Sequence, residues 1–248
     1  MAASPESAMT ACGQRLEGIT DPAGPRPVSL RRRVWLVTRI IRLALMTAAR
    51  VQIFVRVEKV GGGNVPRHGR VILAGNHPSP SDPILLFGGL RRNVCFLAGE
   101  FLFRQPVLGP LLRWMGQIRV DRGTDKAAEA AAFGERVLSH DGLVVIFPSG
   151  RLTRPGERYR AKTGVARMAF ATGSPIVPFH LTGTDRVLGG GRFRPMRRVR
   201  MVFGEPITVP LVANPTQADL VTLTARVVDE SDRLGSAGVR PGRLSPRR

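Results

Sequence analysis

Seven residues, Asn76-His77-Pro78-Ser79-Pro80-Ser81-Asp82, place a proton carrier and a carboxylate within reach of each other. The run before them, Val71-Ile72-Leu73-Ala74-Gly75, is apolar and of strand length. The run after them, Pro83-Ile84-Leu85-Leu86-Phe87, reads as the first turns of a helix. Ser81 is an N-cap residue type, Asp82 suits the positive end of a helix and Pro83 its first turn. The spacing therefore puts His77 where a strand runs out and Asp82 where the next helix starts, and the turn between them can bring the carboxylate back to the imidazole. A carboxylate on one ring nitrogen fixes the tautomer and leaves the other nitrogen free to take a proton. These are the base and the orienter of nucleophilic catalysis without a nucleophile from the protein, so the attacking hydroxyl would come from a substrate. A histidine close before an aspartate also arises by chance, and a strand-end histidine is commonly just a satisfied polar residue. The segments that follow carry the weight.

Those segments alternate. Asn93-Val94-Cys95-Phe96-Leu97 reads as a second strand, and Gly116 to Gly123 as a short strand ending in a basic loop with Asp121 and Arg122. Leu143-Val144-Val145-Ile146-Phe147 is a buried strand that ends in the hydroxyl- and arginine-rich loop Pro148-Ser149-Gly150-Arg151-Leu152-Thr153-Arg154. Ile176-Val177-Pro178-Phe179-His180-Leu181 is a further apolar strand, and Val199 to Phe203 another. Helical patterns cover 124–140, 162–172 and 215–234, while Gly189 to Arg194 reads as a flexible basic loop. Phe101 to Met115 is apolar but broken by Pro106 and Pro110, which fits short helical pieces walling an apolar groove, or plain core. The alternation predicts an α/β fold, a mostly parallel mixed sheet flanked by helices. Ligands in such sheets bind beyond the carboxyl ends of the strands, where His77, Arg122 and Ser149 to Arg151 all fall. A base–carboxylate pair would converge there with arginines able to grip a phosphate. The other histidines read differently: His68 as a loop residue, His140 as a helix C-terminal cap, His180 as a core or rim residue.

The 248 residues suffice for one substantial domain with extensions, and 38 basic against 18 acidic residues give a net charge of +20. The only lysines are Lys59, Lys126 and Lys162, so the charge is almost all arginine. It implies an anionic partner: nucleic acid, an anionic membrane surface or a phosphorylated substrate. Residues 1–28 read as disordered and without the features of a signal peptide, and 236–248 as a disordered basic tail. Residues 29–58 read as a basic amphipathic helix. At about 100° per residue Arg32, Arg39 and Arg50 fall within about 20° of one another, with Arg42 to one side, opposite Trp35, Leu36, Ile40 and Leu43. Such a helix suits a membrane interface, or packs on the protein's own core with a solvated arginine edge. No stretch approaches the length of a membrane span, so the expectation is peripheral attachment at the cytoplasmic face of the cell membrane.

In four blocks the chain resembles the glycerolipid acyltransferases, the group that includes the 1-acylglycerol-3-phosphate acyltransferases. Asn76-His77 with Asp82 resembles their His-x4-Asp box, and Gly116 to Gly123, centred on Val120-Asp121-Arg122, their second block. Phe147-Pro148-Ser149-Gly150-Arg151 resembles their Phe-Pro-Glu-Gly block with Arg directly after Gly, and Ile176-Val177-Pro178 their fourth. The resemblance spans roughly residues 60–210, and the acyltransferase domain is expected over 59–235. It implies transfer of a fatty acyl group from acyl-CoA or acyl carrier protein to a lysophospholipid hydroxyl. His77 would be the base and Asp82 its orienter; Asn76, Arg122, Ser149, Gly150, Arg151 and Pro178 would contact substrate. No metal or bound cofactor is implied, the thioester being a co-substrate. Two positions depart from the family. Ser149 stands where most members have Glu, and Gly99 about where many have a basic residue, for which Arg104 or an arginine after Gly150 would compensate.

Two other classes of function compete: a membrane-surface binding protein that kept the fold without turnover, and a nucleic-acid binder. The second rests on charge alone, and a 6% aromatic content with one Tyr weighs against it.

Overall fold

The computed structural model describes residues 55–237, apart from 107–108, 111, 113–116, 121–123, 155, 190–191 and 195–196. The expected segment 1–28, the amphipathic helix up to residue 54, most of the basic tail, and Arg122 therefore lie outside the described residues.

Seven strands form one sheet: β1 (Val55–Val60), β2 (Val71–Gly75), β3 (Cys95–Gly99), β4 (Ile118–Val120), β5 (Leu143–Ile146), β6 (Ile176–Thr182) and β9 (Arg197–Phe203), with a separate small pair β7 (Leu188–Gly189) and β8 (Arg192–Phe193). The order is β1-β9-β6-β2-β5-β3-β4. Every neighbouring pair is parallel except β6 with β9. The carboxyl ends of β2, β3, β4, β5 and β6 thus share one edge, as an α/β sheet requires of a site built on strand ends.

The helices are α1 (Asp82–Gly89), α2 (Glu100–Phe103), α3 (Thr124–Ser139), α4 (Gly164–Thr172), α5 (Thr184–Val187) and α6 (Gln217–Ser236). All five residues of β2 are buried, because the strand is central and covered on both faces. Alternation sends Ile72 and Ala74 into a core with Val137, Leu138, Met168 and Val227 of α3, α4 and α6. It sends Val71 and Leu73 into a second core with Leu86 and Phe87 of α1, Phe179 and Phe203. Each fully buried Leu or Ile here contributes about 1.5–3 kcal/mol relative to exposure. At the start of α6 a capping box fixes the helix: Thr216 Oγ1 accepts from Asp219 N, and Asp219 Oδ2 accepts from Thr216 N. Further along, the Ser231 hydroxyl donates to Phe179 O on β6 at 2.7 Å.

Two expectations are corrected. Residues 55–58, predicted as the end of a helix, are strand: β1 begins at Val55. Val55, Val57 and Val60 between Arg56, Glu58 and Lys59 carry the β-branched, nearly two-residue period of a strand, and β9 lies alongside to pair with it. At the ends of the expected basic loop Gly189 to Arg194, Gly189 pairs with Arg192 and Leu188 with Phe193, antiparallel.

Candidate active site

Gly75 is where β2 must end and still touch β6. It lies opposite Phe179, and a Cβ there would sit 2.1 Å from the Phe179 carbonyl oxygen. The next residue crosses to β6 with its side chain. Asn76 Nδ2 donates to Leu181 O and its Oδ1 accepts from Leu181 N, both at 2.8 Å, while Nδ2 also lies 3.3 Å from His180 Nε2. Asn76 thereby pins the chain at the point where His77 follows. Its amide is committed to the Leu181 backbone, which gives it a positioning role.

His77 is held on three sides. Its carbonyl accepts from Thr153 N at 2.9 Å. Its ring lies parallel to Phe147, with centroids 3.9 Å apart and planes 12° from parallel. Nδ1–H donates to Asp82 Oδ2 at 2.8 Å, so Nε2 is the nitrogen left to take a proton. Asp82 is fully buried in the first turn of α1, and the same Oδ2 also accepts from Ser79 N at 2.9 Å. Among the described residues its Oδ1 has no partner. Ser81 occupies the N-cap position but does not cap: its backbone is already helical and its hydroxyl bonds the Ser79 hydroxyl at 2.9 Å. The serine pair stiffens the turn that Asp82 needs.

The loop after β5 forms the facing wall. Gly150 has φ +63°, a left-handed turn that glycine takes without strain. Ser149 is buried, and its hydroxyl donates to Arg151 O at 2.6 Å, shaping the loop. Arg151 is half exposed; Nη1 donates to Leu152 O at 3.0 Å and Nη2 to Glu157 Oε1 at 2.5 Å. The Glu157 hydrogen bond and charge raise the Arg151 pKa, and Arg151 in turn holds the Glu157 carboxyl low. Pro178 is buried opposite Ala74, with Gly204 N donating to its carbonyl. It is therefore part of the sheet wall. His180 is partly buried, and desolvation lowers its pKa, which keeps the ring neutral beside Asn76. His140 caps α3, its Nδ1–H donating to Arg136 O at 2.8 Å.

Gly99 ends β3, and a Cβ there would meet the Phe101 ring at 2.9 Å. A long basic side chain at 99 would contend with that ring. Arg104 pairs with Glu100 on α2, so the described cation set of this wall is the loop after Gly150: Arg151, Arg154, Arg158, Arg160 and Lys162, all exposed. Phe147 and Glu157 are functional neighbours that the sequence reading missed. Phe147 directly follows Ile146, which lies opposite Ala74, so β5 ends beside β2 where His77 emerges, a register with no local pattern in the sequence.

The site thus joins a strand-end histidine, oriented by a buried carboxylate, to an exposed arginine loop. Residues 56–182 match the family described as Acyltransferase, about half of the chain. The chain belongs to the Acyltransferase family. It is 31% identical over 132 residues to the 1-acyl-sn-glycerol-3-phosphate acyltransferase of Borreliella burgdorferi, covering 53% of this chain and 53% of that one. It is 33% identical over 142 residues to the enzyme of that name from Limnanthes douglasii, covering 56% and 48%. The chain thus spans about half the length of these curated relatives. In fold it is similar to the crystal structure of the 1-acyl-sn-glycerophosphate (LPA) acyltransferase of Thermotoga maritima, with a TM-score of 0.64 at 22% identity over 88% of this chain and 86% of that one.

Proposed function

We propose that the protein transfers a fatty acyl group from a thioester, acyl-CoA or acyl carrier protein, to the hydroxyl of 1-acylglycerol-3-phosphate, giving phosphatidic acid. The observation that carries the reading is the His77–Asp82 pair, 2.8 Å apart, at a sheet edge lined with exposed arginines in a chain of this family. The names of its relatives support the acceptor.

His77 Nε2 takes the proton of the acceptor hydroxyl as its oxygen attacks the thioester carbonyl carbon. The C–S bond then breaks, and the leaving thiolate receives that proton from the imidazolium. Asp82, buried and acceptor-only when ionised, fixes the ring and compensates the positive charge that forms on it. Phe147 covers one ring face against water. Arg151 holds the acceptor phosphate, with Arg122 as a second expected cation. The chemistry asks for no metal or bound cofactor. The apolar segment from Phe101 receives the acyl chain. The +20 charge and the exposed Ile84, Phe101 and Leu152, which follow β2, β3 and β5, favour working at an anionic membrane surface, at its cytoplasmic face.

The test is product identification. Protein on anionic vesicles receives a long-chain acyl-CoA and, in parallel, lysophosphatidic acid, lysophosphatidylcholine or glycerol 3-phosphate. Phosphatidic acid forming at least about tenfold faster than the other products is the expected result, with vesicle binding that weakens as salt rises. Preference for either other acceptor would sink the proposed substrate, and salt-indifferent binding the membrane reading.

A further inference from the structure

We infer that Glu157 is a positioning residue: its carboxylate, bonded at once to the Arg151 guanidinium and the Arg154 amide, sets Arg151 in the pose that takes the acceptor phosphate. The inference rests on the reading of Arg151 as the phosphate-binding cation. Glu157 Oε1 accepts from Arg151 Nη2 at 2.5 Å and Oε2 from Arg154 N at 2.8 Å. One side chain thus ties the loop on both sides of its bend. The loop is closed from below as well, by Ser149 Oγ on Arg151 O and by Lys162 N on Pro148 O at 2.8 Å. Position 149, where the family commonly has a carboxylate, supplies only a hydroxyl, and that hydroxyl is committed to backbone. The carboxylate that reaches Arg151 comes instead from six residues further on.

An arginine guanidinium has five N–H donors in a fixed fork. Two are used, on Leu152 O and Glu157, and these fix the plane of the group. Among the described residues the other three have no partner and are available to phosphate oxygens. Glu157 acts on the acceptor in two opposed ways. Its negative charge repels a phosphate and offsets part of the guanidinium's attraction, an effect that solvent and salt screen because Arg151 is half exposed. Against this, an arginine left free must be immobilised when the phosphate binds, a loss of about two- to tenfold in affinity for one long side chain. Ordering wins, so removal of Glu157 weakens acceptor binding.

Glu157→Gln, Glu157→Ala, Arg151→Ala and the Arg151→Ala/Glu157→Gln double variant are compared with the wild type by steady-state kinetics with lysophosphatidic acid and acyl-CoA. Calorimetric titration with lysophosphatidic acid gives the affinity without turnover. The expected result is a KM and Kd for lysophosphatidic acid about two- to tenfold higher in both Glu157 variants. kcat stays within about twofold and the acyl-CoA KM is unchanged. Arg151→Ala gives at least the same loss, and the double variant loses no more than Arg151→Ala alone. Unchanged or tighter acceptor binding in Glu157→Gln, beside weakened binding in Arg151→Ala, would overturn this inference and leave the Arg151 reading standing. Unchanged binding in Arg151→Ala would overturn both.

Discussion

Asp82 shows how much chemistry can rest on one oxygen atom. Its Oδ2 accepts from the Ser79 amide and from His77 Nδ1–H, with no exposed surface around it. The Ser79 bond shapes the turn, and the His77 bond sets the tautomer. An amide at this position keeps the size and can still satisfy one donor, but it has no charge to offset an imidazolium and can present an N–H to the ring. Asp82→Asn should therefore lower kcat about 10²–10⁴-fold, the range that a correctly protonated base supplies. The change in stability should stay within about 1–3 kcal/mol, the cost of a buried group left unpaired. Initial rates and thermal melts check both. A kcat within about threefold of wild type would mean that Asp82 only builds the turn. Arg151 belongs to the same scale: the proposed phosphate contact needs its exposure, as the proposed orienting role of Asp82 needs its burial.

At the scale of elements, β2 and β6 hold the site by being unusually close where they end. Gly75→Ala would place a methyl 2.1 Å from the Phe179 carbonyl, against backbone that cannot rotate away. The strands must part, at a cost of about 1–3 kcal/mol. The two Asn76–Leu181 bonds that locate His77 should loosen with them. A lower melting temperature and a lower kcat together are expected; wild-type values of both would show that the approach is not needed. Much of this architecture was legible in the chain. β2, β5 and β6 are continuous apolar runs because both their faces are buried, and each ends at a polar, Gly- or Pro-marked loop. What was not legible joins residues far apart or has no local pattern. Asn76 reaches Leu181 across 105 positions, and Phe147 covers His77 through strand register. Glu157 stands in no motif, and only the folded loop brings its carboxylate to Arg151. β1 was absorbed into the helix before it because six residues are too few to announce a change of period.

On the scale of the whole molecule, the same sheet edge carries His77, the arginine loop after β5 and the exposed apolar side chains Ile84, Phe101 and Leu152. Among the described residues no helix is long and apolar enough to cross a membrane. An anionic lipid surface would meet positive charge and apolar side chains at the edge where the base waits, so that an acceptor lipid need not leave the surface to react. The measurement that tests this arrangement most directly is thiol release from a long-chain acyl-CoA on anionic vesicles, with and without lysophosphatidic acid, for the wild type and His77→Ala. Release that needs the acceptor and falls at least about 10²-fold in His77→Ala is the expected result. Release at the wild-type rate in His77→Ala, or release indifferent to the acceptor, would contradict it.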